Sequence, residues 1–379
     1  MISATSLLEY CERQSEWLRE TIEDLVRLES PSTDKAAVDR CGAAVEQQLV
    51  SMGGDVRRLR QDARGDHLRA EWSGGNSQVL LLGHFDTVWQ VGTLQRMPLR
   101  RDDGRLHGPG VFDMKAGIGV AMLAVRALHA LAAAPLPRIV MLWTSDEELG
   151  SQTSRGAIEE EARRSAAVLV LEPSLPGGGA KTSRKGVGEF ELAVHGVSAH
   201  AGVDPGKGAS AISEIVRQII SVEALRDLPR GISVNVGRLE GGSRANVVPD
   251  FASAKIDVRV PTLADAARID AALRGLRPHN PATRLELTGG VERPPFERSP
   301  GVARLYEQAK EAAAALGRDL PEGGTGGGSD GNFTGALGVP TLDGLGPMGD
   351  GAHALHEHVI EADLPWRAAL VATLLTRLH

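Results

Sequence analysis

The chain has 379 residues, a hydrophobic content of 42% and a formal net charge of −7 at pH 7. A chain of this length is expected to divide into two domains, each with its own core. The acidic balance, with a pI near 5.9, leaves no basic surface and excludes nucleic acid as a partner. The most apolar segment, Gly117–Ala134, contains Arg126 and His129, so it predicts a buried helix and no membrane partner.

Two cysteines, Cys11 and Cys41, are too few for a disulfide framework and favour a reducing compartment. The first residues, MISATSLLEYCERQSEW, lack the basic start and the apolar run of a secretory signal. We therefore expect a cytoplasmic protein.

Hydrophobic periodicity predicts alternating helices and strands in the first half of the chain. Helices are expected over 6–29, 35–52, 116–132 and 155–164. Short, fully apolar runs predict buried strands at Val79–Leu82, Ile139–Trp143 and Val168–Leu171. Because strands alternate with helices, we expect an α/β fold with a largely parallel sheet that is covered on both faces.

The pattern changes after residue 183, where six segments follow the order βαββαβ, which is typical of a ferredoxin-like unit. The expected strands are Val187–His195, Ile232–Leu239, Ala252–Val260 and Thr283–Thr288, and the helices are 208–224 and Leu263–Arg274. The sequence thus predicts an α+β domain at 184–291, inserted into a domain made of 1–183 and 292–379. The remaining elements are a helix at 299–316, a strand at Val339–Leu342 and a helix at Asp363–Leu378.

Histidines and acids cluster where the predicted buried strands end. The segments are GHFDTV with His84 and Asp86, TSDEELG with Asp146, Glu147 and Glu148, and LVLEPS with Glu172. Open α/β sheets place their ligand sites at this edge. A glycine-flanked turn adds Asp113, and a later loop adds His353, His356 and His358. Imidazole and carboxylate ligands without thiolate suit catalytic zinc, which keeps one position open for water.

Spacing suggests a division of tasks among these residues. Asp86 lies two residues after His84, and alternate residues of an extended chain point the same way, so its carboxylate can orient the histidine ring. The carboxylate of Asp113 can bridge two cations, although an aspartate before a helix is also a common N-cap. Of the adjacent Glu147 and Glu148, one can bind metal while the other acts as general base, unless they form a solvated turn.

Other segments carry weaker signals. The glycine-rich Gly323–Gly331 has no strand clearly before it and lacks the Gly-Lys-Ser/Thr ending of a P-loop, so it favours backbone contact with a carboxylate over nucleotide binding. In the inserted domain, His200, Asn246 and Arg259 lie near predicted strand ends, where each could equally be an ordinary surface residue.

Taken together, the segments from GHFDTV to GAHALHEHV closely resemble a family of di-zinc exopeptidases and deacylases. The family includes glutamate carboxypeptidases of the carboxypeptidase G type, aminoacylases, acetylornithine deacetylases and succinyl-diaminopimelate desuccinylases. The resemblance covers nearly the whole chain and implies these roles: zinc ligands His84 and Glu172, zinc ligands Glu148 and His353, bridging ligand Asp113, general base Glu147 and orienting acid Asp86. It also implies a cis peptide bond between Asp113 and Met114.

The inserted domain resembles the lid of this family, which also forms the homodimer. The resemblance implies that His200 reaches the partner subunit's active site and stabilises the oxyanion. It implies that Arg259 and Asn246 recognise the substrate carboxylate, with Gly328 of the GGGSDG loop beside them. The chain departs from the family at His356 and His358, where relatives usually carry an acid or amide and an aromatic residue.

Among the branches, the segments LEPS, RKGVGEF, HAG, DVR and GGGSDG are most similar to glutamate carboxypeptidase. We therefore expect a metal-dependent hydrolase with two Zn²⁺ per chain that cleaves an amide bond next to a free carboxylate in a small peptide or N-acyl amino acid. Co²⁺ or Mn²⁺ can fit the same ligands. The alternatives are an N-acyl-amino-acid deacylase, a non-catalytic metal-binding protein on this scaffold and, from the glycine-rich loop, a nucleotide-binding enzyme.

Overall fold

The computed structural model describes residues 2–131 and 136–378, which form two compact units. Unit 1 comprises the described residues of Met1–Ser183, Arg298–Thr325 and Ser329–His379. Unit 2 comprises Arg184–Glu297 and Gly326–Gly328. It runs to Glu297 rather than ending at residue 291, because the backbones of Arg184 and Phe296 pair through two hydrogen bonds of 2.9 and 3.0 Å.

Ten α-helices are present in the described part of the chain. They are α1 (Ala4–Arg13), α2 (Ser15–Arg27), α3 (Lys35–Ser51), α4 (Ala116–Ala130), α5 (Arg155–Arg163), α6 (Ala211–Glu223), α7 (Leu263–Arg274), α8 (Pro300–Ala315), α9 (Gly331–Ala336) and α10 (Leu364–Leu375). The predicted helix at 6–29 is in fact two helices, interrupted at Gln14. Residue 132, the expected end of the helix that begins at 116, lies outside the described residues. None of the described helices is long and apolar enough to cross a membrane.

The strands are short in unit 1 and longer in unit 2. They are β1 (Asp55–Leu59), β2 (His67–Trp72), β3 (Gln78–His84), β4 (Arg100–Asp102), β5 (Arg105–His107), β6 (Arg138–Thr144), β7 (Ala167–Val170), β8 (Ala180–Arg184), β9 (Gly186–His195), β10 (Ser233–Gly241), β11 (Phe251–Val260), β12 (Arg284–Arg293), β13 (Glu322–Thr325), β14 (Thr341–Leu342), β15 (Gly349–Asp350) and β16 (His358–Ile360). β13 overlaps the first residues of the glycine-rich segment, where no strand was evident from the sequence.

The main sheet of unit 1 has the order β1-β2-β6-β3-β7-β14. Within this sheet, β6, β3, β7 and β14 run parallel to one another. β2 pairs with β6 and β1 pairs with β2, and both of these pairs are antiparallel. Alternate residues of β3 enter different cores: Leu81 packs in the cluster that includes α4 and α10, and Leu82 packs in the cluster that includes α5. Burial on both faces explains why β3 is apolar at nearly every position.

Two smaller sheets complete unit 1. One pairs β8 with β13, and the other has the order β15-β16-β5-β4. The loop with His353 connects β15 to β16, so pairing of β16 with β5 fixes the end of this loop.

Unit 2 is a four-stranded antiparallel sheet with the order β10-β11-β9-β12. α6 and α7 pack on it, and the burial of β9 alternates residue by residue. The chain order βαββαβ and this strand order confirm the predicted ferredoxin-like fold.

Candidate metal centre

Three neighbouring strands of unit 1 bring candidate residues to one edge of the sheet. His84 is the last residue of β3, the turn Glu147–Leu149 follows β6, and Glu172 follows β7. β3 lies between β6 and β7 and is parallel to both, so the carboxyl ends of the three strands meet.

Two groups of possible ligand atoms lie at this edge, and they share the carboxylate of Asp113. His84 Nε2 is 3.2 Å from Asp113 Oδ1 and 3.5 Å from a Glu172 oxygen. His353 Nε2 is 3.5 Å from Asp113 Oδ2 and 3.1 Å from a Glu148 oxygen. Two atoms bound tetrahedrally to one zinc at about 2.0–2.1 Å lie about 3.3 Å apart. Each group therefore has the spacing that one ion requires, with Asp113 offering one oxygen to each.

Asp113 lies in a tight turn, Val111–Lys115, that leads into α4. The peptide bond between Asp113 and Met114 is cis, as the family resemblance implied. Met114 is buried beneath the end of β3, and its sulfur accepts a hydrogen bond from the backbone N–H of His84 at 3.3 Å. A side chain at Gly83 would come within 2.4 Å of the end of the Met114 side chain and 2.8 Å of the Trp143 ring, so the lack of a side chain lets the turn pack closely against β3.

Asp86 organises the centre through several partners. Its carboxylate is 3.3 Å from His84 Nδ1, but its own backbone oxygen lies nearer to that nitrogen, at 3.0 Å. Both oxygens favour a proton on Nδ1, which leaves Nε2 as the possible ligand. The carboxylate also accepts hydrogen bonds from the backbone N–H groups of Glu147 and Glu148, each at 3.3 Å, and from Ser32 at 2.6 Å. Asp86 thus fixes the two glutamates as well as the histidine.

Asp146 belongs to neither group of ligand atoms among the described residues. It is buried and accepts hydrogen bonds from the backbone N–H and the hydroxyl of Thr153, at 2.6 and 2.7 Å. Of the three adjacent acids, it therefore anchors the turn.

The three histidines of the 353–358 segment have different surroundings. His353 adopts a φ of 61°, a conformation uncommon for residues other than glycine, and it alone of the three belongs to a group of ligand atoms among the described residues. His356 is exposed, with Nε2 3.8 Å from Asp350. The ring of His358 packs against His107, with centroids 5.2 Å apart.

Electrostatics at the centre favour a bound cation. Burial raises the pKa of Glu148, and the nearby charge of Asp113 raises it further. Burial acts against the charge of Asp113 as well, yet hydrogen bonds from His353 and His84 hold its pKa well below its usual range. Hydrogen bonds to Asp113 and Glu148 raise the pKa of His353 to about 10. Crowded carboxylates thus draw positive charge towards themselves, which divalent ions can provide.

Two buried residues that hold the Asp113 turn, Glu357 and Lys115, could not be recognised from the sequence. Glu357 accepts hydrogen bonds from the backbone of this turn, and burial raises its pKa to about 7. Lys115 is also buried and donates to the backbone oxygens of Leu25 and Leu28, at 2.9 and 2.7 Å. Nothing in the residue pattern distinguished either from a surface charge.

In unit 2, the ring orientation of His200 is fixed by the backbone. Its Nδ1 accepts hydrogen bonds from the N–H groups of Gly202 and Val203, both at 3.1 Å. The neutral ring therefore carries its proton on Nε2, where it is a hydrogen-bond donor. Asn246 is exposed, and its backbone oxygen accepts from Ala201 at 3.0 Å.

The other predicted substrate contacts in unit 2, Arg259 and the segment around Gly328, are held in place by hydrogen bonds with charged side chains. The guanidinium of Arg259 forms a two-pronged pair with Asp257, with its closest hydrogen bond at 2.8 Å. Arg184 donates to the backbone oxygens of Gly327 and Gly328, both at 3.1 Å. This contact holds the glycine-rich segment by its carbonyl groups.

Two adjacent groups of nitrogen and oxygen ligands with a shared carboxylate are typical of two-metal hydrolases. The comparison with known families agrees: residues 80–377 match peptidase family M20/M25/M40, and the chain belongs to this family. It is thus a hydrolase of the metallopeptidase class.

Named relatives span nearly the whole chain. Carboxypeptidase G2 of Pseudomonas sp. (strain RS-16) is 30% identical and aligns over 94% of this chain and 88% of its own length. Succinyl-diaminopimelate desuccinylase of Xanthomonas oryzae pv. oryzae (strain MAFF 311018) is 29% identical over 94% of this chain and 97% of its own length.

Solved structures share the fold. Aminopeptidase PepT from Bacillus cereus superimposes with a TM-score of 0.80 at 23% identity, covering 96% of this chain and 98% of its own. The YXEP protein of Bacillus subtilis, described as a dinuclear metal-binding peptidase of the M20 family, gives a TM-score of 0.72 at 15% identity, covering 97% and 98%.

Proposed function

We propose that this protein is a two-zinc carboxypeptidase that hydrolyses an amide bond next to a free carboxylate, with a C-terminal glutamate as the preferred leaving residue. The observation that carries the proposal is the pair of ligand groups that share Asp113. In this proposal His84 and Glu172 hold one ion, Glu148 and His353 hold the other, and Asp113 bridges them. The similarity to carboxypeptidase G2 along most of the chain supports the choice of substrate.

Bound zinc would supply Lewis-acid activation of water and of the substrate carbonyl. Glu147 removes a proton from the attacking water and later delivers it to the leaving amine. Its backbone N–H is held by Asp86, beside Glu148, so the general base and a metal ligand are oriented by the same carboxylate. The N–H of His200 at Nε2 donates a hydrogen bond to the oxyanion.

The planar guanidinium of Arg259 suits a substrate carboxylate because it offers two parallel hydrogen bonds. We propose that Arg259 and Asn246 bind this carboxylate, with the backbone near Gly328 as a further contact. The pair with Asp257 supports this role, because it keeps the guanidinium oriented before substrate arrives.

Zinc-loaded protein tests the proposal when it is given matched pairs of substrates. We expect hydrolysis of N-acyl and peptidyl substrates that end in a free glutamate, and much weaker hydrolysis of the same compounds with the terminal carboxylate amidated. Equal rates on acid and amide would contradict carboxylate-directed cleavage.

An N-acyl-amino-acid deacylase is the second candidate, supported by the similarity to succinyl-diaminopimelate desuccinylase. The chemistry at the metal centre is the same, and the two activities differ only in which part of the substrate must be recognised. Hydrolysis of substrates with many different acidic acyl groups, and with little preference for the amino acid that is released, would favour the deacylase.

We further propose that the protein forms a homodimer through unit 2. α6 exposes Ile212, Val216 and Ile220, which are 38%, 46% and 66% exposed and are spaced four residues apart on one helix face. β10 lies at the edge of the sheet, so its backbone can also pair with another chain. An apolar stripe beside an open strand edge suits a twofold contact between identical surfaces.

We also propose that the protein is located in the cytoplasm. Cys11 and Cys41 are both free and buried, which is typical of proteins from a reducing compartment.

A further inference from the structure

The carboxylate of Glu357 is fully buried and accepts four hydrogen bonds. Its Oε1 accepts from the backbone N–H groups of Phe112 and Asp113, at 2.9 and 3.1 Å. Its Oε2 accepts from the backbone N–H of Gly110 at 3.0 Å and from the indole N–H of Trp89 at 2.7 Å. Hydrogen bonds to an ionised acceptor are stronger than neutral ones, so this set strongly constrains all four donors.

Two of the four donors, Phe112 and Asp113, belong to the turn that carries Asp113, and a third, Gly110, directly precedes it. The same turn is attached on another side by Lys115, which donates to the last backbone carbonyls of α2 and its C-cap. The turn is thus held between the buried carboxyl group of Glu357 and the buried amine of Lys115. Its position is therefore set by two side chains that belong to neither group of ligand atoms among the described residues.

Glu357 also lies four residues after His353, in the same loop. It therefore connects the loop that carries His353 to the turn that carries Asp113. His353 and Asp113 belong to the same group of ligand atoms, 3.5 Å apart at their nearest. A shift of the turn relative to the loop changes this distance directly, and it also displaces the oxygen that Asp113 directs towards His84.

We infer that Glu357 is a positioning residue that fixes the bridging carboxylate of Asp113 relative to His353, and so determines how tightly the metal pair is held. This inference rests on the proposed two-metal function. In the described part of the chain, the hydrogen bonds that Glu357 accepts come from three backbone N–H groups and the Trp89 indole, so it acts through the backbone of the Asp113 turn.

Glu357→Gln is the direct test, because glutamine has the same shape but replaces one acceptor oxygen with an N–H₂ group that faces N–H donors. Loss of a partner that orients metal ligands typically weakens metal binding by about 10–100-fold. We expect such a rise in the Kd for Zn²⁺ by chelator competition, and an altered visible spectrum of the Co²⁺-loaded protein. Trp89→Phe removes a single donor and should raise the Kd by less, about two- to tenfold.

Glu214→Gln is the matched control. Glu214 is a buried glutamate of unit 2 whose carboxylate accepts from the backbone N–H groups of His279 and Asn280, at 2.8 and 3.0 Å. Its substitution should lower the melting temperature while the Zn²⁺ affinity and the Co²⁺ spectrum stay as in the wild type. A purely structural role for Glu357 predicts this same behaviour for Glu357→Gln.

Wild-type Zn²⁺ affinity and an unchanged Co²⁺ spectrum in Glu357→Gln would overturn the inference, whatever its stability. If that variant does not fold, Trp89→Phe decides: an unchanged spectrum with unchanged affinity overturns the inference, and a shift in both supports it. A wild-type protein that binds no metal pair would instead overturn the proposed function, so the two failures are distinguishable.

Discussion

The candidate residues of unit 1 and those of unit 2 are held in different ways. In unit 1, His84 and Asp86 are 1% and 0% exposed, and backbone N–H groups or other buried side chains fix the acids around them. In unit 2, His200 and Asn246 are exposed on loops. Most of the first set is fixed by buried partners, with the 51% exposed side chain of His353 as the exception, whereas His200 and Asn246 of the second set face solvent.

Exposed large apolar side chains occur in both units, with Val50, Val91 and Leu355 among those in unit 1. The stripe of Ile212, Val216 and Ile220 along one helix face belongs to unit 2. A buried polar centre gains its specificity from fixed geometry, and an apolar surface gains its energy from being covered. We therefore expect substitutions in unit 1 to act on metal and chemistry, and substitutions in unit 2 to act on substrate recognition and assembly.

The largest expected effect separates the adjacent glutamates of unit 1. Glu147→Gln should lose roughly 10²–10⁴-fold in kcat while keeping the metal content and the substrate affinity, because only acid–base catalysis is removed. Glu148→Gln, its matched partner, should instead lose metal. Steady-state kinetics together with elemental analysis of both variants would check this. Equal metal loss in the two variants, or an active Glu147→Gln, would show that the roles are assigned wrongly.

The next expected effect is a loss of activity when His200 of unit 2 is substituted. His200→Ala should lower kcat by roughly 10²–10³-fold with intact metal content, because an oxyanion donor is missing. If His200 serves the partner's site, mixing this variant with Glu147→Gln should yield heterodimers with one complete site and activity above either parent. A mixture that exchanges subunits but stays inactive would mean that His200 does not act across the dimer.

An effect of similar size, on kcat/KM rather than kcat, is expected for Arg259. Arg259→Ala should cost about 2–5 kcal/mol of transition-state stabilisation with free-acid substrates, or roughly 30- to 5,000-fold in kcat/KM, because a charged partner of the substrate is removed. Arg259→Lys keeps the charge but not the planar fork, so it should recover only part of the loss. Rates on acid and amide substrates would measure the discrimination directly. An acid-to-amide preference equal to that of the wild type would place the carboxylate elsewhere.

The smallest effect on stability is expected at the apolar stripe. Ile220→Glu should change the free energy of unfolding of the isolated single chain by less than about 0.5 kcal/mol, because the side chain is exposed there. It should nevertheless convert the dimer to a monomer in sedimentation analysis, with Lys310→Glu on α8 of unit 1 as the control. A variant that remains dimeric at low concentration would exclude this face as the interface.

The sequence predicted the α/β sheet, the ferredoxin-like unit and the strand ends that carry the centre. These features have strong local signals, since buried parallel strands are apolar throughout and their carboxyl ends must meet at one edge. β1 was missed because its DVRRL sequence is largely exposed and its pairing with β2 is a tertiary effect. Glu357 was missed for a related reason, because its backbone donors lie more than 200 residues earlier in the chain.

Metal content measured against activity tests the central claim most directly. Elemental analysis of protein purified without chelator should give about two divalent ions per chain, as expected for a two-metal hydrolase site. Removal of the ions should abolish hydrolysis of C-terminal glutamate substrates, and addition of Zn²⁺ should restore it. Full hydrolytic activity in a preparation shown to be free of metal would contradict the account.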